Sequence, residues 1–146
     1  MDLDTRVKVA IYQWFAERAT APAAGDVARS VRASEQEAVD AYGRLRAQRV
    51  LALEPNGRTI RMAPPFSGVP TKHVAEVSGK RYFANCAWDS LGIVAAFREP
   101  GVVHSECAQS HEPLHLSLSR DGPEPCDWVF HCLVPAAKWW DDIVFT

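Results

Sequence analysis

Cys86 and Asp89 are the pair in this chain whose side chains and spacing could do chemistry. They stand in the run Tyr82-Phe83-Ala84-Asn85-Cys86-Ala87-Trp88-Asp89-Ser90-Leu91, where a β-prone stretch gives way to a helix-prone one. A cysteine at such a handover lies near the helix N-terminus, whose partial positive charge favours thiolate over thiol. An aspartate three residues later falls on the same face, within reach of the sulfur or of a group bound to it. The pair offers a soft nucleophile beside a proton donor and acceptor. Spacing alone leaves a second reading open, in which Cys86 is a small buried hydrophobe and Asp89 caps the first helical turn.

The other candidates for chemistry are weaker. Cys107, Cys126 and Cys132 are widely spaced and lack the close Cys-x-x-Cys pairs of a structural zinc site. The histidines, His73, His104, His111, His115 and His131, show no His-x-x-x-His spacing, so a catalytic zinc site has little support. The N-terminal Met1-Asp2-Leu3-Asp4 is acidic where a secretory signal would be basic, and no apolar run approaches the ~18 residues needed to span a membrane. The expectation is a cytoplasmic protein with free thiols. The 16 basic and 18 acidic side chains leave a net charge of -2, which argues against a polyanionic partner such as nucleic acid.

The positioning elements can be read along the 146 residues. Thr5 to Glu17 carries Val7, Ile11, Trp14 and Phe15 at helical spacing, and Gly25 to Val31 reads as a short second helix. Ser34 followed by Glu37 has the form of a capping box, opening a third helix that runs to about Gln48. Val50 to Leu53 and Thr59 to Met62 flank Pro55-Asn56-Gly57, a hairpin signal. Three helices and a hairpin predict a winged-helix-like domain over residues 1–65. Its third helix carries Arg44, Arg46 and Arg49 among Glu35, Glu37 and Asp40, which reads as a solvated face.

Ala63-Pro64-Pro65-Phe66-Ser67-Gly68-Val69-Pro70 disfavours regular structure and marks a linker. Beyond it, His73 to Val77 and Arg81 to Asn85 flank a Ser78-Gly79-Lys80 turn, and Ala87 to Phe97 reads as a buried helix. Val102 to Cys107, Leu114 to Ser119 and Trp128 to Val134 are strand candidates. Residues 66–146 are thus expected to form a small mixed or antiparallel sheet with one helix, and the whole chain is α+β. Trp128, Trp139 and Trp140 are expected in the core. The final run, Trp139-Trp140-Asp141-Asp142-Ile143-Val144-Phe145-Thr146, stops inside what reads as an apolar strand, and the expectation is a truncated form of a longer protein.

The Cys86 run resembles the active-site segment of the organomercurial (alkylmercury) lyases. Tyr82, Cys86, Ala87, Asp89 and Leu91 carry the match, Gly79-Lys80-Arg81 matches the turn before it, and Val103 to Ala108 and Leu114 to Ser119 match later segments. The resemblance implies an N-terminal winged-helix-like region, a mercury-binding thiolate at Cys86 and a proton donor at Asp89. It implies protonolysis of a carbon–mercury bond to a hydrocarbon and Hg(II), with small thiols removing the metal and no organic cofactor. By the same comparison Cys107 is a core thiol.

The resemblance also implies a second thiolate, because soft sulfur is the ligand that holds mercury. In the family it precedes a strand ending in Val-Pro, and Val134-Pro135 places Cys126 near that position but displaced by one residue. A one-residue shift on a strand reverses a side chain's direction. Cys126 is the expected second ligand and Cys132 the reserve, with a core role the other reading of Cys132. The rival function is a non-catalytic, thiol-based binder or sensor of soft metal, in the form of a winged-helix regulator.

Overall fold

A computed structural model describes residues 1–144, so Phe145 and Thr146, the last two of the run read as an apolar strand, lie outside the described residues. Helix α1 (Leu3–Arg18) starts where Asp2 accepts a hydrogen bond from the Thr5 N–H at 2.9 Å, and it buries Val7, Ile11 and Phe15 along one face. Helix α2 (Ala24–Val31) buries Val27 and Val31 against it. Helix α3 (Glu35–Ala47) opens on the expected capping box, Ser34 accepting from the Glu37 N–H while the Glu37 carboxylate accepts from the Ser34 N–H. Arg44 on α3 grips Asp4 with paired hydrogen bonds of 2.9 and 2.7 Å.

Strands β1 (Ala52–Leu53), β2 (Ile60–Ala63) and β3 (Phe66–Ser67) follow as an antiparallel sheet in that order. β3 arises inside the proline-rich stretch that the sequence reading leaves irregular. Pro64 and Pro65 occupy the turn between the paired residues Ala63 and Phe66, where a missing N–H removes no ladder bond. The chain therefore reverses and pairs across the expected boundary at residue 65.

The second sheet contains β4 (Val74–Val77), β5 (Lys80–Phe83), β6 (Gly101–Glu106), β7 (Pro113–Ser119) and β8 (Gly122–Pro123), ordered β5-β4-β6-β7-β8 and antiparallel throughout. Helix α4 (Ala87–Phe97) connects β5 to β6 and packs on β4 and β6. A side chain at Gly101 would meet the Glu76 carbonyl at 2.6 Å, so glycine is what lets β6 start this close to β4. The architecture is α+β, helices first and antiparallel sheets after.

Two expectations about the C-terminal part fail. Trp128 to Val134 forms no strand, because β8 takes the free edge of β7 and Pro123 and Pro125 supply no N–H to extend the pairing. Trp128 is 48% exposed rather than in the core; Ala136–Asp141 winds as a 3₁₀ helix.

Phe66 ties the two sheets together. Its ring stacks on Phe15 at 5.2 Å, tilts against Tyr82 at 5.7 Å and meets Phe97 edge-on at 6.4 Å. Its backbone forms a β-bridge with Ala84 just past β5, while the Tyr82 hydroxyl donates to the Ala16 carbonyl at 2.8 Å. One hydrophobic core results, running from Val7 in α1 to Leu118 in β7. The bridge also presses the residues after Ala84, Asn85 and Cys86 first, against the Pro64–Phe66 turn.

Candidate active site

Cys86 is the N-cap residue of α4, with extended backbone angles of φ -152° and ψ 177°, and is half-buried. The N–H groups of Asp89 and Trp88 point toward its sulfur, as expected at a helix start. The expected thiolate does not follow. Burial outweighs those donors and, with the nearby Asp89 charge, pushes the Cys86 thiol above the ordinary cysteine range. The resting group is a thiol. It loses its proton when a soft metal replaces it, since a coordinated thiol ionises outright.

Asp89 lies in the first turn of α4, and burial likewise raises its carboxyl above the ordinary carboxylate range. The opposing influence is Asn85, whose Nδ2 donates to Asp89 Oδ2 at 2.9 Å. The same amide nitrogen donates to the carbonyls of Phe66 at 3.2 Å and Pro65 at 3.4 Å. Asn85 Oδ1 is buried without a hydrogen-bond partner. From α1, Tyr12 closes the other side: its hydroxyl donates to the Pro64 carbonyl at 3.0 Å, and burial followed by the Asp89 charge makes it harder to ionise. Asp89 thus lies at the α4 N-terminus beside Cys86, held by Asn85 to the Pro65–Phe66 turn on which Tyr12 also bonds.

The segment after β8 reaches the start of α4. Phe130 leans on Trp88 with ring centroids 5.5 Å apart, and the charge of Cys132 further raises the Cys86 thiol. Cys126 and Cys132 are both exposed in this irregular segment, and of the two Cys132 alone bears on Cys86. Cys107 is not a strand-core thiol: it sits just past β6 in a turn, where Ser110 and Gln109 donate to its sulfur and bring its thiol below the ordinary cysteine range. Among the described residues no three His, Cys, Asp or Glu side chains gather as a metal-holding cluster. His104 and His115 meet only as a cross-strand pair, Nδ1 to Nδ1 at 2.6 Å.

Sequence reasoning located Cys86 and Asp89 but missed Asn85, Tyr12 and the Trp88–Phe130 contact. The position of Asn85 directly before Cys86 was the available signal for it. Tyr12 had none, because only tertiary packing carries α1 to the turn.

Fold and site together define an α+β protein with a half-buried thiol and carboxyl at one helix start. Residues 66–146 match the family model for MerB, alkylmercury lyase, and the chain belongs to the alkylmercury lyase family. It also shares its fold with a crystal structure of the mercury-bound form of MerB2, at a TM-score of 0.60 and 17% sequence identity. The similarity covers 83% of this chain but 66% of that one, so the chain spans just under two thirds of that structure's length. No curated protein matches the chain. Among the described residues no helix is long and apolar enough to cross a membrane.

Proposed function

We propose that this chain cleaves carbon–mercury bonds by protonolysis, with Cys86 holding the mercury of R-Hg⁺ and Asp89 moving the proton. The observation that carries this reading is the burial of the Cys86 thiol and the Asp89 carboxyl together in the first turn of α4. Cys86 replaces a weaker ligand on mercury, and its proton passes to Asp89. A second cysteine then binds the metal and releases its own proton. The protonated Asp89 delivers a proton to the carbon, the Hg–C bond breaks, and R-H leaves. The balance is R-Hg⁺ plus two thiols giving R-H, a bis-thiolate Hg(II) complex and one H⁺.

Cys132 is our choice for the second thiolate. It bears electrostatically on Cys86, and the Phe130 contact with Trp88 anchors its segment beside the start of α4. Cys126, the position favoured by sequence register, is the alternative. Hg(II) is substrate-derived product here and is carried off by excess small thiol. The placement we favour is cytoplasmic, where such thiols are abundant.

The test is incubation with phenylmercury and excess thiol, with headspace measurement of benzene. Release that disappears in Cys86→Ser supports the lyase. Mercury bound tightly without benzene release would replace it with the metal-binding or sensing reading, and retention of DNA that changes with Hg(II) would extend that to a regulator.

A further inference from the structure

The hydrogen bonds of Asn85 single it out among the residues around Asp89. Its amide nitrogen has two protons: one meets Asp89 Oδ2 at 2.9 Å, and the other faces the carbonyls of Phe66 and Pro65 at 3.2 and 3.4 Å. Those carbonyls can only accept, so they fix which way the amide faces. With its nitrogen held there, Asn85 can offer Asp89 only a donor. The price of this arrangement is a buried Oδ1 with no partner, a defect that a residue kept for packing alone would avoid.

Among the described residues Asp89 has no other side-chain hydrogen bond, so Asn85 fixes the rotation of its carboxyl group. With Oδ2 held, Oδ1 is left to exchange a proton. We propose that Asn85 is the positioning residue for Asp89: it anchors the carboxyl on the Pro65–Phe66 turn so that one oxygen stays free for proton transfer at Cys86. This rests on the lyase reading for its kinetic consequence. The hydrogen bond itself does not depend on that reading.

The kinetic experiment follows single-turnover benzene release from phenylmercury-loaded protein, together with steady-state kcat and KM. Asn85→Leu keeps the volume and removes the donor, whereas Asn85→Gln keeps a donor. Asn85→Leu is expected to lower kcat about 100-fold with KM within about twofold, the scale of loss for a misplaced catalytic group. Asn85→Gln should recover much of that loss, and Hg(II) stoichiometry should stay at the parent value in both. Unchanged kcat in Asn85→Leu, equal losses in the two variants, or a loss confined to KM would overturn the assignment.

A second measurement needs neither turnover nor a folded Asn85 variant. The Asn85 side-chain amide is followed by ¹⁵N NMR in the parent protein and in Asp89→Ala. Slow exchange with solvent and a shifted resonance, both altered in Asp89→Ala, are expected. An amide that exchanges freely, or that is indifferent to Asp89, overturns the proposal. A parent protein that releases no benzene refutes the lyase reading instead, and the NMR result then decides the Asn85 assignment alone.

Discussion

Phe130 rests its ring on Trp88 with 5.5 Å between centroids, and through that contact a segment without regular structure reaches the start of α4. Both rings keep a large exposed area, 46% for Phe130 and 53% for Trp88, so they form an aromatic surface next to Cys86. Aromatic pairs of this kind contribute about 0.5–1.5 kcal/mol beyond the area they bury. That is enough to bias this irregular segment toward the start of α4.

If the contact brings Cys132 to Cys86, Phe130→Ala should weaken Hg(II) retention against competing small thiol by about three- to tenfold, as its ring energy implies. Cys132→Ser should weaken it further, and Cys126→Ser should leave it within about twofold. Competition titrations with glutathione read all three. A larger loss from Cys126→Ser than from Cys132→Ser would return the second-ligand role to Cys126.

Asp89→Asn removes the ionisable group at near-constant shape. Benzene release should fall about 100- to 10,000-fold, the usual worth of a positioned general acid. Mercury should still bind at Cys86, as followed by the loss of its reactivity toward alkylating agents. Undiminished release in this variant would exclude Asp89 as the proton carrier.

Thiol reactivity offers a check independent of mercury. Burial raises the Cys86 thiol, whereas hydrogen bonds from Ser110 and Gln109 lower that of Cys107. The alkylation rate of Cys107 should therefore rise at lower pH than that of Cys86, with Cys107 labelled first at neutral pH. Peptide-resolved mass spectrometry of iodoacetamide labelling across pH gives both midpoints, and the reverse order would contradict the site as described.

The raised Asp89 carboxyl also makes stability depend on pH. The folded protein binds this proton more tightly than the unfolded chain. The stability it adds is complete below the unfolded-state value and fades as pH rises through the folded-state value. Asp89→Asn is neutral at every pH, so its stability relative to the parent should grow between about pH 4 and pH 7. Urea midpoints at the two pH values would show it, and a difference that shrinks over this interval would mean that burial does not raise the Asp89 carboxyl.

Packing at the junction of the sheets can be tested through Phe66, which is 5% exposed. Phe66→Ala should cost about 3–5 kcal/mol, since the ring fills the space shared by Phe15, Tyr82 and Phe97. Calorimetry should register a large drop in Tm. A loss under about 1 kcal/mol would mean that the two sheets are not joined through this ring.

Local sequence patterns were enough for most of the elements. The Ser34–Glu37 capping box, the four-residue spacing of Val7, Ile11 and Phe15, and the Ser78–Lys80 turn all rest on interactions between near neighbours, which is why they could be read directly. The Cys86–Asp89 pair was legible for the same reason, being one turn of one helix. Tertiary structure decided the rest. The ionisation of Cys86 turned on burial, which outweighs the helix N-terminus and which no spacing reveals. The proline stretch became a turn because Phe66 found β2 and Ala84. Tyr12 and Phe130 reached the surroundings of the α4 start from distant parts of the chain, through contacts that depend on how the folded elements fill space.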